Sequence, residues 1–203
     1  MSAHPSTESM GSIDRIPDPS EVTVARIPYP ERSAEAVDAL PTPLNAFRML
    51  SHAPDLTGPA IDLGMGVLGS SIPVRLRELV VVSVAAHTDC AYGIVQHRPI
   101  ALHAGVTVDQ LAAVVELRRE EGEFDEVESA MLTATEELLA QHTLTDATLG
   151  TLREHLTDRQ VVELITTVGY YTMLAGLLNG LGVDIDPAGE KYLGLGRSVT
   201  ETS

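Results

Sequence analysis

The amino-acid sequence predicts an all-α protein. From Leu44 onward, apolar residues recur at the three- and four-residue spacing of helices, and strand-like composition is confined to the short stretch VVVSV at residues 80–84. Helix-capping residues and helix-stopping residues bound several of these runs. The sequence therefore predicts a bundle of about seven or eight helices, at approximately residues 44–53, 56–69, 74–87, 90–104, 108–121, 126–142, 146–155 and 158–181.

Local capping chemistry predicts several helix boundaries. A side-chain oxygen at the cap and an acid or amide three residues later satisfy the free N–H groups of a helix's first turn. This spacing marks three helix starts: Thr107 with Gln110, Asp125 with Glu128, and Thr157 with Gln160. Gly105 and Gly122 are predicted helix stops, and Pro54 is expected to end the first helix.

The chain is expected to divide into three segments. Residues 1–41 are rich in proline, which favours an extended N-terminal arm over a helix. Residues 42–186 hold all the predicted helices and are numerous enough to bury one hydrophobic core. The last segment, residues 187–203, is predicted to be a C-terminal tail.

Composition excludes several classes of function. The formal net charge is −16, from 29 acidic and 13 basic residues, so nucleic acid and anionic membrane surfaces are poor partners. Lys191 is the only lysine, which leaves Schiff-base chemistry with essentially no candidate. No glycine-rich phosphate loop or serine nucleophile motif stands between a strand and a helix. We therefore expect no cofactor.

The cysteine count and the N-terminus predict a cytoplasmic location. A single cysteine, Cys90, argues against a disulfide-stapled secreted protein, and residues 1–21 lack the basic and apolar regions of a signal peptide. Residues 164–183 form an uncharged run long enough to span a bilayer. They include Thr, Asn, Tyr and Gly residues, and Glu163 precedes them, so we predict a helix buried in the fold or in an oligomer interface.

The stretch RELVVVSVAAHTDCAYGIVQH, residues 77–97, carries the clearest chemical signal. Glu78 lies near the start of an apolar helical run, Cys90 follows the connection to the next helix, and His97 lies seven positions later. An acid, a thiol and an imidazole around one helix-to-helix connection are typical of proton-transfer chemistry.

These residues resemble the signature of the alkylhydroperoxidase D-like and carboxymuconolactone decarboxylase superfamily. That signature is a Glu, eleven residues, a Cys, two residues, a second Cys, three residues and a His; here Gly93 replaces the second Cys. The segments at residues 44–56 and 156–186 are also similar to this family. The resemblance implies a helical bundle that includes VVVSV in a buried helix. It also implies a trimer or hexamer with active sites near subunit contacts.

The missing cysteine decides which branch of the family the sequence resembles. In one helix Cys90 and His97 are about 10 Å apart along the axis, whereas position 93 lies one turn from His97. The resemblance implies that two-cysteine members are peroxidases that cycle through a disulfide, and that the decarboxylase branch keeps the acid and the histidine. We therefore predict decarboxylation or isomerisation of a small organic acid, lactone or carbonyl compound, with Glu78 and His97 catalytic.

Hairpin geometry supports the pairing of these two residues. If the helices on either side of the Thr88–Asp89 connection run antiparallel, position 78 lies opposite position 99, and Glu78 faces His97. A carboxylate beside an imidazole would orient the ring and favour its charged form. With no cofactor, the substrate itself must carry an electron sink for a carbanion, such as a conjugated carbonyl.

Each residue also has a structural interpretation. Glu78 could complement a helix dipole and pair with Arg75 or Arg77. Cys90 could be a small buried apolar residue, although a position just after a helix cap is expected to lower a thiol pKa and would make it a third catalytic candidate. His97 alone could be an ordinary core or surface histidine.

Further residues are candidates for substrate binding. The space left by Gly93 is expected to help hold substrate, and polar or aromatic side chains of the same and the last helix are expected to line the pocket: His87, Tyr92, Tyr170, Tyr171, Met173 and Asn179. His87, Cys90 and His97 lie on one stripe, but the last two are too far apart to share one zinc ion. We therefore expect no metal site.

Two other classes of function remain open from the sequence. One is a thiol oxidoreductase that uses Cys90 with an external thiol, because a single cysteine cannot close an intramolecular disulfide. The other is a non-catalytic ligand-binding or assembly subunit. The expected partners are a small-molecule substrate and further copies of the chain.

Overall fold

The computed structural model describes residues 25–119 and 123–186, and within these ranges every regular element is a helix. The all-α prediction is confirmed, and VVVSV lies inside a helix. The helices are α1 (Glu35–Asp38), α2 (Asn45–Leu50), α3 (Pro54–Leu68), α4 (Val74–His87), α5 (Ala91–His103), α6 (Val108–Val115), α7 (Glu126–Gln141), α8 (Asp146–His155) and α9 (Asp158–Leu181).

The capping chemistry read from the sequence is present in the fold. All three predicted capping boxes form, with reciprocal side-chain and backbone hydrogen bonds at the starts of α6, α7 and α9. Gly105, with φ of 93°, ends α5 as predicted. Pro54 is the first residue of α3 instead of the residue that stops α2, which already ends at Leu50. This agrees with the preference of proline for the first helical position.

Helix α6 is shorter than predicted. It ends at Val115 because Leu117 takes the left-handed backbone conformation, with φ of 56°. A non-glycine residue in that region interrupts the helical hydrogen-bond pattern. The residues that follow, RREE at positions 118–121, are good helix formers, so the sequence gives no sign of the interruption. The predicted stop at Gly122 lies outside the described residues.

The described part of the predicted N-terminal arm is attached to the bundle. It contains the single-turn helix α1, so it is not extended throughout. The backbone N–H of Arg26 donates to the carbonyl of Leu181 at 2.8 Å, and the Tyr29 hydroxyl donates to Asp184 at 3.0 Å. Arg26 and Tyr29 therefore attach this segment at the C-terminal end of α9, whereas α1 packs against α3. The rest of the arm and the predicted tail lie outside the described residues.

Helix α4 is the central element of the bundle. It packs against α5, α6, α7 and α9, and every residue from 77 to 86 is buried. Its sequence is apolar on all sides, as expected for a helix covered all round. Two charged residues, Arg77 and Glu78, lie inside this buried stretch. The fold therefore places an ion pair in the core.

Helix α9 is covered on only part of its circumference. It packs against α2, α3, α4, α7 and α8, but Val162, Ile165 and Met173 are exposed along its outer side. The single chain therefore does not cover this helix on every side, and burial of its outer side in an oligomer interface stays a prediction. By length and composition alone α9 is apolar enough to cross a membrane, and the core helix of a soluble protein passes the same test.

Candidate functional site

Glu78 and His97 contact each other across the α4–α5 hairpin, as the antiparallel geometry predicts. Nδ1 of His97 donates a hydrogen bond to Oε2 of Glu78 at 2.8 Å. The Glu78 side chain is completely buried, whereas that of His97 is 14% exposed. A hydrogen bond from imidazole to a buried carboxylate fixes both the orientation of the ring and the tautomer of its neutral form.

Arg77 contacts the other oxygen of the same carboxylate. Its Nε and Nη2 atoms donate to Oε1 of Glu78 at 3.2 and 3.1 Å, and its Nη1 atom donates to the carbonyl of Leu68 at 2.6 Å. Of the two arginines that the sequence offered as partners, Arg77 is therefore the one that pairs with Glu78. Arg75 instead forms a salt bridge with Glu128.

The Glu78 carboxyl group is held in its ionised form. Burial alone would raise its pKa, but the charge and hydrogen bond of His97, followed by those of Arg77, outweigh burial and lower the pKa below its ordinary value. A buried carboxylate with charged or hydrogen-bonding partners on both oxygens stays ionised near neutral pH. It can therefore accept a hydrogen bond from the Nδ1–H of His97 without becoming protonated.

The second ring nitrogen of His97 is available for chemistry. No hydrogen bond to Nε2 is formed within the part of the chain that the structure describes. The ring of Tyr171 packs edge-on against the imidazole, with centroids 5.0 Å apart and planes at 88°. Burial, and then the charge of Glu78, raise the pKa of Tyr171 well above its usual value, so its hydroxyl stays neutral. The imidazole is thus held by Glu78 and Tyr171.

Cys90 does not belong to this hydrogen-bonded group. It lies at the N-cap of α5, only 2% exposed, and no hydrogen bond joins it to His97. Burial raises the pKa of its thiol, and a hydrogen bond from the Gly93 backbone opposes this only in part. The expectation that the helix N-terminus lowers this pKa is therefore wrong, because loss of solvation is the larger effect.

Gly93 lies where α4 and α5 approach each other closely. A Cβ atom added there would lie 2.9 Å from Cβ of Ala85 and 3.6 Å from Sγ of Cys90. Helices α4 and α5 approach so closely at this point that Ala85 fills the room left by the missing side chain. The glycine therefore allows α4 and α5 to pack closely, and its role in substrate binding stays a prediction.

Two predicted substrate-binding residues make structural contacts at the C-terminal end of the described chain. Tyr92 is buried and donates its hydroxyl to Asp186. Asn179 is exposed, and its Nδ2 atom donates to the carbonyl of Thr88 at 2.7 Å, which satisfies a free carbonyl at the end of α4. Neither residue is brought to the imidazole of His97 by these contacts.

Tyr170 and His87, which are also predicted to bind substrate, have different surroundings. Tyr170 packs edge-on against Tyr171, with centroids 5.4 Å apart, and its hydroxyl lies over Gly64 of α3. Nδ1 of His87 donates to the carbonyl of Ser83 at 2.9 Å. His87 faces a small surface depression, lined also by Val114, Leu117, Arg118, Arg119, Leu132 and Glu136.

Sequence reasoning did not assign roles to two residues that contact the site. Arg77 appeared only as a structural alternative for pairing with Glu78, and Tyr171 only as one of several pocket candidates. A signal for Arg77 was present, because a charged residue next to Glu78 in an otherwise apolar helix must be buried with a partner. No comparable signal in the sequence singles out Tyr171.

One group of potential metal ligands occurs in the described ranges. Glu126, Glu154 and His155 have ligand atoms within 4.8 Å of one another at the surface of α7 and α8. All three are exposed and none contacts Glu78 or His97, so the acid/base pair contains no such cluster. The expectation that the protein needs no metal stays a prediction.

Comparisons with known proteins agree with this fold. Residues 54–137, which include Glu78, Cys90 and His97, match the carboxymuconolactone decarboxylase family. A peroxidase-related protein with an alkylhydroperoxidase AhpD core, from Ralstonia eutropha JMP134, is similar in structure, with a TM-score of 0.65 and 23% identity over 85% of this chain and 96% of that one. No curated protein matches the chain.

Two further solved structures share the fold at lower identity. A putative antioxidant defence protein AhpD from Agrobacterium tumefaciens has a TM-score of 0.59 and 19% identity over 66% of this chain and 93% of that one. The debrominase Bmp8 has a TM-score of 0.61 and 17% identity over 78% of this chain and 84% of that one. At such identities the likeness concerns the fold.

The close approach of α4 and α5 predicts the behaviour of a restored cysteine pair. Gly93→Cys alone should lower the free energy of unfolding by about 1–3 kcal/mol, because its Cβ overlaps Ala85. Combining it with Ala85→Gly should relieve the overlap and allow a disulfide with Cys90 under oxidant, measured by thiol titration and mass spectrometry. Ala85→Gly alone is the control, and a fully stable Gly93→Cys single variant would contradict the packing argument.

The contacts of Tyr92 predict a structural cost for loss of its hydroxyl. The carboxylate of Asp186 also accepts the backbone N–H of Asn45 at 2.9 Å and is largely buried. Tyr92→Phe should therefore lower the free energy of unfolding by about 1–3 kcal/mol in denaturant titrations. Tyr29→Phe, which removes a half-buried hydroxyl, should cost less. A stable Tyr92→Phe variant that loses substrate affinity would instead support the binding role.

Proposed function

We propose that this chain, whose residues 54–137 match the carboxymuconolactone decarboxylase family, is an enzyme that performs cofactor-free acid/base chemistry. Its substrate would be a small organic acid, lactone or other carbonyl compound, and its reaction decarboxylation or isomerisation. One observation carries this proposal. A buried carboxylate holds Nδ1 of His97 at 2.8 Å and leaves Nε2 without a hydrogen-bond partner among the described residues.

The chemistry follows from the direction of that hydrogen bond. The Nδ1–H of neutral His97 donates a hydrogen bond to Glu78, so the lone pair on Nε2 can take a proton from a carbon next to the substrate's carbonyl group. Glu78 stabilises the imidazolium that forms. In an isomerisation, Nε2 returns the proton to another carbon. In a decarboxylation, a protonated His97 donates it to the carbanion left by carbon dioxide, which a conjugated carbonyl must stabilise.

Thiol chemistry is the second candidate, and the surroundings of Cys90 oppose it. A nucleophilic cysteine must be ionised and accessible, whereas this one is buried with a raised pKa. A resolving cysteine would have to come from another molecule, since Cys90 is the only one in the chain. An oxidoreductase route would therefore require α4 and α5 to separate before reaction.

The same proposal includes a homo-oligomer. The apolar side chains exposed on α9, Val162, Ile165 and Met173, support an interface along this helix. Sedimentation analysis is the direct test, and a trimer or hexamer is the expected result. With a net charge of −16, we propose no nucleic acid or anionic membrane as a partner.

The substrate can be sought without a prior candidate. A mass-spectrometric screen of small carboxylic acids and lactones should find a compound that loses carbon dioxide or changes its isomer in the presence of the protein. A ligand that binds in thermal-shift assays and never turns over would support the non-catalytic alternative.

The pairing of Glu78 and His97 predicts non-additive losses of activity. His97→Asn and Glu78→Gln should each lower kcat/KM by about 10² to 10⁴, because both residues serve one proton transfer. The double variant should be hardly slower than the poorer single variant. Steady-state kinetics on this four-member cycle test the prediction.

Thermal melts of the same four proteins separate catalysis from folding. Glu78→Gln also weakens a buried ion pair, so activity must be measured where each variant is folded. Fully additive losses, or a folded Glu78→Gln protein with normal turnover, would reject a catalytic pair. The latter result would leave Glu78 with a structural role only.

We predict that replacement of Cys90 leaves most of the enzymatic activity intact. Cys90→Ser and Cys90→Ala should keep most of the activity on the substrate identified above, because the thiol is buried and does not bond to His97. Peroxide turnover with added dithiol should be negligible in the parent protein. Vigorous peroxide turnover that disappears in both cysteine variants would establish the thiol route instead.

A further inference from the structure

Three ionisable side chains form one buried chain across α4 and α5. The guanidinium of Arg77 contacts Oε1 of Glu78 at 3.1 Å, and Oε2 of Glu78 contacts Nδ1 of His97 at 2.8 Å. Arg77 is 4% exposed and Glu78 is completely buried. The formal charge of this group therefore depends on the protonation of His97 alone, since guanidinium groups stay protonated.

We propose that Arg77 is a positioning residue that makes the neutral imidazole, protonated on Nδ1, the resting form of His97. This proposal rests on the acid/base function proposed above and adds a direction to it. The site would begin its reaction as a base, by taking a proton from the substrate. Its substrates would be carbon acids with a proton next to a carbonyl or lactone group.

The net charge of this poorly solvated cluster decides which protonation state of His97 is favoured. With Arg77 present, the cluster has a net charge of zero when His97 is neutral and +1 when His97 is protonated. Without Arg77, the cluster would have a charge of −1 when His97 is neutral and zero when the Glu78–His97 pair holds one more proton. Burial favours the uncharged total. Arg77 thus reverses the preference that a lone carboxylate would give to the imidazolium.

The other groups that face this cluster do not change its charge. Tyr171 of α9 packs against the His97 ring, and Tyr170 packs against Tyr171. Both hydroxyls stay neutral, since burial raises the pKa of Tyr170 to about 12 and that of Tyr171 well above its usual value. The remaining contact of Arg77 is the carbonyl of Leu68, which is uncharged.

The protonation of His97 can be measured without any substrate. Nitrogen-15 NMR of the full-length protein reports the protonation and tautomer of each of the seven histidine rings, and His97→Gln identifies the signal of His97. We expect the neutral ring with its proton on Nδ1 at pH 7. In Arg77→Met, the pH of half-protonation should rise by about 1 to 3 units. Arg77→Lys should restore most of the difference.

A control and a fallback keep the test decisive. Arg159→Met removes the same charge from an exposed ion pair with Glu163 and should leave the titration of His97 unchanged. If Arg77→Met does not fold, the effect of Arg77 is measured in a Glu78→Gln background. There the Glu78→Gln variant is compared with the double variant that also carries Arg77→Met, and the double variant buries no unpaired charge. His97 should be protonated at higher pH in the double variant. Equal titrations of His97 with and without Arg77 in either background would overturn the proposal.

The outcomes separate this proposal from the proposed function. If His97 titrates as expected but its replacement leaves turnover intact, the acid/base function fails and the electrostatic role of Arg77 stands. If His97 is essential for turnover but its ring is insensitive to Arg77, only the present inference fails. With a substrate in hand, Arg77→Met should also move the acidic limb of the kcat/KM profile to higher pH.

Discussion

The rest of the site depends on the compensation of one buried carboxylate. Glu78 lies on the central helix α4, completely removed from solvent, in a segment where the following eight residues are also buried. A carboxylate in such a place is stable only with partners on both of its oxygens. Arg77 and His97 are those partners. Through them the carboxylate links α4 to α5 and, by way of Leu68, to the end of α3.

The close approach of α4 and α5 determines the surroundings of Gly93 and of His97. At Gly93 the two helices are so near that Ala85 would overlap any added Cβ atom. One turn later along α5, the same approach brings His97 within hydrogen-bond distance of Glu78. The position that carries the second cysteine in the two-cysteine pattern is thus used for packing, and the imidazole contacts Glu78 and Tyr171.

Several polar residues that suggested a binding pocket make hydrogen bonds within the fold. Tyr92 and Asn179 are residue types that often line pockets. Each donates a hydrogen bond to a partner within the fold, Asp186 and the carbonyl of Thr88 respectively. The physical reason is general, since a buried hydroxyl or a free helix-terminal carbonyl must find a hydrogen bond. Residue type alone does not separate the two roles, because a pocket and a satisfied core use the same side chains, and the binding role of these residues stays a prediction.

The sequence by itself determined the helical class, the three capping boxes and the Glu78–His97 pair. These follow from local rules: apolar spacing, caps three residues apart, and the mirror symmetry of an antiparallel hairpin. Only the tertiary structure decided that Cys90 is buried, that Gly93 is packed against Ala85 and that Arg77 contacts Glu78. These facts depend on the distance between two packed helices and on which side chains are buried away from solvent. The spacing of residues along the chain specifies neither of them.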